Sequence, residues 1–309
     1  MANLTAGLPD DLRVRPATTA DKGPITRLLQ RSPWSHLHVD WHTPGDWLGT
    51  PGFVVVEQNR ATRRSATRSL LWPANEPEME GCLSAAADPL PAAWVRVAAI
   101  SQNRNLVSEG IMLAAMLEAV LPHLRAIGVT QLAWMTAESW PDAWLPSLGF
   151  EIINWIETRV KENVTIPPGV VNPQIVARPV QTAELPQLAA MEAAAFDPLW
   201  RHSAESLALA WRQSISFDVA EVDGQIVGFQ YSSAGGSGAH LSRLTVSPAA
   251  QGMGVGSALL TRALEGYQRM GWRQVSLNTQ VDNAASQRLY EKFGFRAAGE
   301  RTPVWGIGL

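Results

Sequence analysis

The chain has 309 residues, 46% of them hydrophobic and 17% charged, with a formal charge of −3 at neutral pH. That length holds two domains of ordinary size, each with room for its own core, and the slight negative charge excludes a global attraction for nucleic acid or an anionic membrane. One cysteine, Cys82, excludes an intrachain disulfide and a thiolate metal cluster and reads as a small buried hydrophobe. The N-terminal residues show no charged segment leading into an apolar core, and the most apolar run, Ile111 to Leu121, is interrupted by Glu118. A cytoplasmic protein without a membrane span is therefore expected.

In chain order, Arg15-Pro16-Ala17-Thr18-Thr19-Ala20-Asp21 opens an amphipathic helical stretch and returns as Arg178-Pro179-Val180-Gln181-Thr182-Ala183-Glu184, 163 residues later (178 minus 15). Gly128 to Leu132 returns as Gly271 to Val275 at 143 (271 minus 128), and Leu148-Gly149-Phe150 as Phe293-Gly294-Phe295 at 145 (293 minus 148). The chain therefore reads as two copies of one unit, with roughly twenty extra residues in the first. Two predicted strands of the second copy, Asp218 to Val222 and Gln225 to Tyr231, meet at Asp223-Gly224, a tight hairpin signal. Their counterparts, Phe53 to Glu57 and Gly81 to Ala86, flank a polar stretch with Arg60, Arg63, Arg64 and Arg68, read as a grown, solvated loop. Between the copies, Thr165 to Asn172 holds Pro167, Pro168 and Gly169 and reads as a linker. The expected domains are 1–170 and 171–309.

Ahead of the first hairpin, His36-Leu37-His38-Val39-Asp40-Trp41-His42 puts three histidines and an aspartate in seven residues. Spacings of two and four fix no single zinc geometry, and a polar loop explains them as well, so no metal is expected. Trp34, Trp41 and Trp47 surround this segment, and nine of thirteen tryptophans fall in the first half, which reads as packing.

The most informative stretch is His240 to Leu260. His240 to Val246 suits a strand, and Ser247-Pro248 ends it because proline lacks a ladder donor. In Gln251-Gly252-Met253-Gly254-Val255-Gly256-Ser257, three glycines in five positions remove side chains where the free amides of a helix's first turn point outward, which suits phosphate. A dinucleotide fingerprint fails, since Gly252 leads to Ser257 and Gly254 to Leu259 where the third glycine belongs; a P-loop fails for want of Gly-Lys-Ser/Thr. Downstream, Gln274 to Thr279 reads as a strand, Asp282 or Asn283 as a helix cap, and Gly294 as that helix's stop. Along the helix, Asn283, Ser286 and Tyr290 stand at i, i+3 and i+7 on one face, with Leu289 and Phe293 directed to the core.

Gln251-x-x-Gly254-x-Gly256 followed by Asn283 to Phe295 resembles the paired motifs of the GNAT superfamily of N-acetyltransferases. The resemblance implies an α/β (α+β) chain of two tandem GNAT folds, each a mixed, mostly antiparallel sheet flanked by helices. It also implies acetyl-CoA as co-substrate and a small-molecule or peptide amine as acceptor. Leu244, Thr245 and Val246 would hold the pantetheine arm, the amides from Gly252 to Ser257 the pyrophosphate, and Asn283 with Ser286 the rest of the cofactor arm. Tyr290 would protonate the departing thiolate; by reference values, about 10 for a phenol and 8.5 for a thiol, that transfer is uphill by about 2 kcal/mol. Eleven residues before Gln251 stands His240, where histone-type members carry a glutamate, and an imidazole there suits a general base. Plain alternation puts His240 and Ser242 on one strand face.

In the first copy, Gln251, Gly254 and Gly256 fall on Asn105, Ser108 and Gly110, with Glu109 adding negative charge, so that copy is expected to bind no CoA. An intact second half behind an eroded first also resembles mycothiol synthases, whose acceptor is a small amino-sugar conjugate. Phe196, Trp200 and Trp211 are expected to wall the acceptor side. A binding module without turnover is the competing reading, and Tyr290 argues against it, since a binder needs no proton donor.

Overall fold

The computed structural model describes residues 7–38, 41–58, 79–102, 108–169, 172–235 and 238–309. Val39, Asp40, Asn105 and the four loop arginines lie outside the described residues. The chain divides into two compact units, Met1–Ile153 with Val304–Leu309, and Asn154–Pro303. Residue 170, where composition places the linker, lies within the span of the second.

The first unit contains β1 (Leu12–Pro16), α1 (Lys22–Arg31), β2 (Trp34–Leu37), β3 (Phe53–Gln58), β4 (Met79–Ala87), β5 (Ala92–Ile100), α2 (Glu109–Ala126) and β6 (Gln131–Met135). Its sheet runs β1-β3-β4-β5-β6, antiparallel except for β5 with β6. Near-continuous apolar runs in β3, β4 and β5 reflect a sheet covered on both faces. Met112, Leu113, Met116, Leu117, Val120 and Leu124 of α2 pack on one side, and Ile25 and Leu28 of α1 join Phe53, Val55 and Cys82 on the other. Cys82 is fully buried and burial pushes its thiol up to about 12, so it is core rather than a nucleophile.

The second unit contains β7 (Glu151–Lys161, from Asn154 on), β8 (Val176–Pro179), α3 (Leu185–Ala195), α4 (Ala204–Gln213), β9 (Ser216–Val222), β10 (Gln225–Ala234), β11 (Ala239–Val246), α5 (Val255–Arg269), β12 (Val275–Gln280), α6 (Ala284–Lys292) and the first part of β13 (Arg296–Gly308). Its sheet runs β7-β12-β11-β10-β9-β8, with β11 and β12 parallel and the other pairs among the described residues antiparallel. Ser232 bonds Tyr267 of α5, whereas the adjacent Tyr231 lies against His202 before α4. Neighbouring strand residues face opposite ways, so α5 and the α3–α4 segment cover opposite faces. Both sheets are of the expected mixed, mostly antiparallel kind.

The repeat survives at the level of single ion pairs. Arg15 on β1 bonds Asp21 and Glu57, and Arg178 on β8 bonds Glu184 and Glu221, each arginine joining a helix entrance to the neighbouring strand. One departure is not written in the repeat. β7 follows the first copy in sequence but pairs with β12, from Val275↔Lys161 to Gln280↔Ile156. The end of β13, which closes the second copy, pairs with β6 from Val304↔Met135 to Gly308↔Gln131. Each sheet is thus completed by a strand from the other copy's sequence.

Candidate functional site

The site of the second unit begins where two parallel strands part. β11 and β12 share only three pairs, Ala239↔Val275, His240↔Ser276 and Leu241↔Leu277. β11 then continues to Val246 held by β10 alone among the described strands. The Ser247 amide donates to the Val227 carbonyl, and bonded pairs alternate along an antiparallel ladder. Arg243 and Thr245 therefore direct their backbone groups to β10, while Leu244 and Val246 direct theirs to the open side of the wedge.

A β-bulge decides which side chains share a face. Tyr231 pairs with Arg243 but Ser232 with Leu241, so Ser242 is an extra residue on β11 and the alternation shifts by one. Ala239 and Leu241, then Leu244 and Val246, pack toward α5. His240, Arg243 and Thr245 take the opposite face. His240 sits at the closed end of the wedge, its Nδ1 2.9 Å from Ser276 Oγ, and burial lowers its imidazole pKa below the ordinary histidine value.

At the wedge's far end the chain turns through Gln251 to Gly254 into α5. Gly252 and Gly254 have φ of +81° and +93°, a region that disfavours side chains. Gly256 is required for a different reason: a β-carbon there would lie 3.0 Å from Leu289 and 3.6 Å from Leu244, so it brings α5 and α6 together. The first bond of α5 runs from the Ala258 amide to the Gly254 carbonyl (3.0 Å), which leaves the Val255, Gly256 and Ser257 amides at the helix N-terminus. Ser257 is buried and Met253 exposed. Asn172 bonds the Met253 carbonyl at 3.2 Å and steadies the turn.

Asn283 caps α6, its Oδ1 accepting from the Ser286 amide at 3.0 Å, as the cap prediction requires. One turn on, Ser286 stands next to Tyr290 along the polar stripe and draws its phenol pKa down. Tyr290 is 6% exposed, with its ring 5.8 Å from Phe295. Burial pushes the phenol up to about 12, against the pull of Ser286 and the charges of Arg243 and Arg159.

Sequence reading missed an ionic clasp on the face of β11 that α3 covers. Glu192 of α3 is fully buried; Arg243 donates to it through Nε at 3.0 Å and also through Nη2, and Thr245 Oγ1 donates to it at 2.5 Å. Arg243 further donates to the Trp200 carbonyl at 2.6 Å and lies 3.9 Å over the Phe196 ring. His202 Nδ1 is 3.4 Å from Glu192, an ion-pair distance outside hydrogen-bond geometry. Burial alone would raise the Glu192 carboxyl, but Arg243 and His202 outweigh it and hold it at about 2. The available signal was spacing: Leu185, Leu188 and Glu192 stand at i, i+3 and i+7, so the acid falls on the buried face of an apolar helix. Phe196 and Trp200 are thereby fixed beside β11, and Trp211 is 41% exposed.

In the first unit, Ser108 stands at the N-cap position of α2 without a side-chain cap bond, and the place of a Gly110 β-carbon is taken by the Trp144 ring at 2.5 Å. His36 Nδ1 lies 3.1 Å from Glu138, and the His42 ring lies tilted with its centroid 4.5 Å from that of Trp47. Among the described residues, no three His, Cys, Asp or Glu side chains are grouped to hold a metal.

Residues 185–295 match the acetyltransferase (GNAT) family. An uncharacterized N-acetyltransferase from Methanocaldococcus jannaschii is 34% identical over 82 residues, covering 26% of this chain and 52% of that protein. A mycothiol acetyltransferase from Amycolatopsis mediterranei is 34% identical over 95 residues, covering 28% of this chain and 32% of the other. The matches thus span about half or less of these relatives' lengths. A tandem GNAT protein from the clavulanic acid biosynthesis pathway superposes with a TM-score of 0.58 over 96% of this chain and 98% of its own, at 15% identity, a likeness of fold.

Proposed function

We propose that the chain, which carries a GNAT acetyltransferase domain in residues 185–295 of a tandem GNAT fold, transfers acetyl groups from acetyl-CoA to a primary amine, with the chemistry in its second unit. The observation that supports this best is the opening of β11 from β12 after Leu241, with an α-helix N-terminus at its far end and a phenol on the flanking helix.

The residues fit that co-substrate. Leu244 and Val246 turn backbone groups into the wedge, a match for the amides of a pantetheine arm, while Thr245 has its side chain committed to Glu192. The amides from Gly252 to Ser257 suit a pyrophosphate, and no atom lies within 4 Å of a β-carbon position at Gly252. The Asn283 Oδ1 is taken by its cap, leaving its Nδ2 for the cofactor arm. Bound acetyl-CoA supplies the activated acyl carbon. The acceptor nitrogen forms the new C–N bond as the C–S bond breaks, its proton passes to His240 directly or through water, and Tyr290 donates to the sulfur. An imidazole kept neutral by burial is in the form a base needs. Direct attack requires a neutral amine, so an α-amine (pKa about 7.7 to 8.0) needs less help than a lysine (about 10.4).

The relatives named mycothiol acetyltransferases make a small amino-sugar conjugate the first acceptor to try. A cytoplasmic setting belongs to the same reading, supported by the lone buried cysteine. Among the described residues no helix is long and apolar enough to cross a membrane. The test is thiol release from acetyl-CoA with peptide α-amines, lysines, polyamines, amino sugars and arylamines. The proposal requires release with at least one class; bound acetyl-CoA with no release on any would leave a binding module.

A further inference from the structure

The first unit repeats the parting of strands and then fills it. β5 and β6 are parallel for three pairs, Ala92↔Gln131, Ala93↔Leu132 and Trp94↔Ala133, the same number as β11 with β12. Beyond them, the edge of β5 that corresponds to the open edge of β11 is taken by β2, paired antiparallel from Trp34↔Ile100 to Leu37↔Val97. We infer that β2 is a built-in occupant of the first wedge, a length of the chain's own backbone in the position that the proposed function gives to the pantetheine arm in the second unit. The chain then holds one acyl-CoA site rather than two.

The hydrogen bonds assign the strand edges. The His38 amide donates to the Arg96 carbonyl at 2.9 Å, and the Ser101 amide to the Glu80 carbonyl at 2.8 Å. Alternation along both ladders makes the Ala98 and Ile100 amides those that β2 covers and the Ala99 amide one that β4 covers. The outer edge of β2 is held as well. Trp140 Nε1 donates to the Ser35 carbonyl at 3.1 Å, and His36, 1% exposed, reaches Glu138 at 3.1 Å. Both partners come from the segment after β6, so β2 lies between β5 and the continuation of β6. Ser32 pins the strand's start, accepting from the Trp34 amide at 2.9 Å and donating to the Ile100 carbonyl.

The two copies diverge locally just after their first helix. In the second, Ser203 accepts from the Ser206 amide at 3.0 Å and starts α4. In the first, Ser32-Pro33 stops α1, and Trp34-Ser35-His36-Leu37 continues as a strand. The helix N-terminus is closed too, since the Trp144 ring fills the space beside Gly110. Replacement of the Gly254 counterpart by Ser108 thus accompanies a physical replacement of the ligand.

The test is residue-resolved amide exchange by NMR on the full chain. Ala98 and Ile100 should be protected at least a hundredfold in the free protein and unchanged by saturating acetyl-CoA. Trp140→Phe, which removes the indole donor to Ser35, should speed their exchange severalfold and leave Ala99 unaffected. Unprotected Ala98 and Ile100 amides in the free chain would overturn the inference, as would tenfold protection appearing there only with acetyl-CoA. Failure of the second-unit reading would show separately, as no new protection at Leu244 and Val246.

Discussion

Replacing Tyr290 with phenylalanine removes one oxygen from a ring that is buried among Leu260, Leu264, Phe293 and Phe295. Packing is retained, and loss of the hydroxyl should change stability by only about 1 kcal/mol. The effect on turnover is a separate matter. With burial raising the phenol to about 12 and a thiol near 8.5, complete proton transfer to the thiolate is uphill by 3.5 units, or about 5 kcal/mol. That exceeds the figure of about 2 kcal/mol from unperturbed values, because burial penalises the phenolate. On the proposed function, Tyr290 would then act chiefly by hydrogen bonding to sulfur as charge builds, with Arg243 and Arg159 easing the ionisation. The expected loss lies at the lower end of the range for general acids, about a hundredfold in kcat. Thiol release at saturating acetyl-CoA gives kcat, and calorimetry gives affinity, which should stay within threefold. A Tyr290→Phe protein with kcat within threefold of the parent and normal binding would refute the assignment.

Glu192→Ala should destabilise the protein by about 3–5 kcal/mol in urea melts at pH 7, because it leaves Arg243 partly buried without its carboxylate; a loss below about 1 kcal/mol would contradict the clasp. The Glu192 carboxyl is depressed from 4.5 to about 2 in the folded state, so its stabilisation is complete above 4.5 and is lost as pH falls toward 2. Wild type should show that loss and the variant should lack that component. For His240, a lowered pKa keeps the imidazole neutral below pH 6.5, so kcat/KM should fall only on the acid side of that value, and His240→Gln should remove the limb. An acid limb unchanged in the variant would assign the base elsewhere. Trp305, 8% exposed and donating to Asp142 at 3.0 Å, belongs to the strand that completes the first sheet; Trp305→Ala should lower stability by about 3–5 kcal/mol, and an unchanged urea midpoint would dismiss that strand's role.

What was legible in the sequence was local or periodic. The repeat at Arg15 and Arg178, the Asp223-Gly224 hairpin, the Asn283 cap and the strand–turn–helix from Ala239 to Arg269 all rest on residues close together in the chain, and each is observed. What was not legible depends on distant pairing. Nothing near Glu151 specifies β12 as its partner, nor anything near Val304 specifies β6, because strand pairing is chosen by the sheet edge available in the folded unit. The bulge at Ser242 shifts Arg243 and Thr245 onto His240's face through the register with β10, which plain alternation ignores. Glu192 was visible only as an acid on an apolar face. The histidines around His36 were read as a loop, and they prove to include a strand that pairs with β5, 60 residues away in sequence for Leu37 and Val97 (97 minus 37).

The central claim is that the wedge between β11 and β12, ending at the glycine turn, is the acyl-CoA site. Calorimetric titration of acetyl-CoA into the wild type and Gly254→Glu tests it most directly. Gly254 has a φ of +93° with only Asn172 and Ile175 within 4 Å of a β-carbon position, so a side chain there meets strain of roughly 1–2 kcal/mol but little crowding. Gly254→Ala carries the same strain without the charge and serves as the control. The wild type should bind one equivalent, Gly254→Ala should bind more weakly and a folded Gly254→Glu protein should bind none; undiminished binding by Gly254→Glu would place the acyl-CoA site elsewhere.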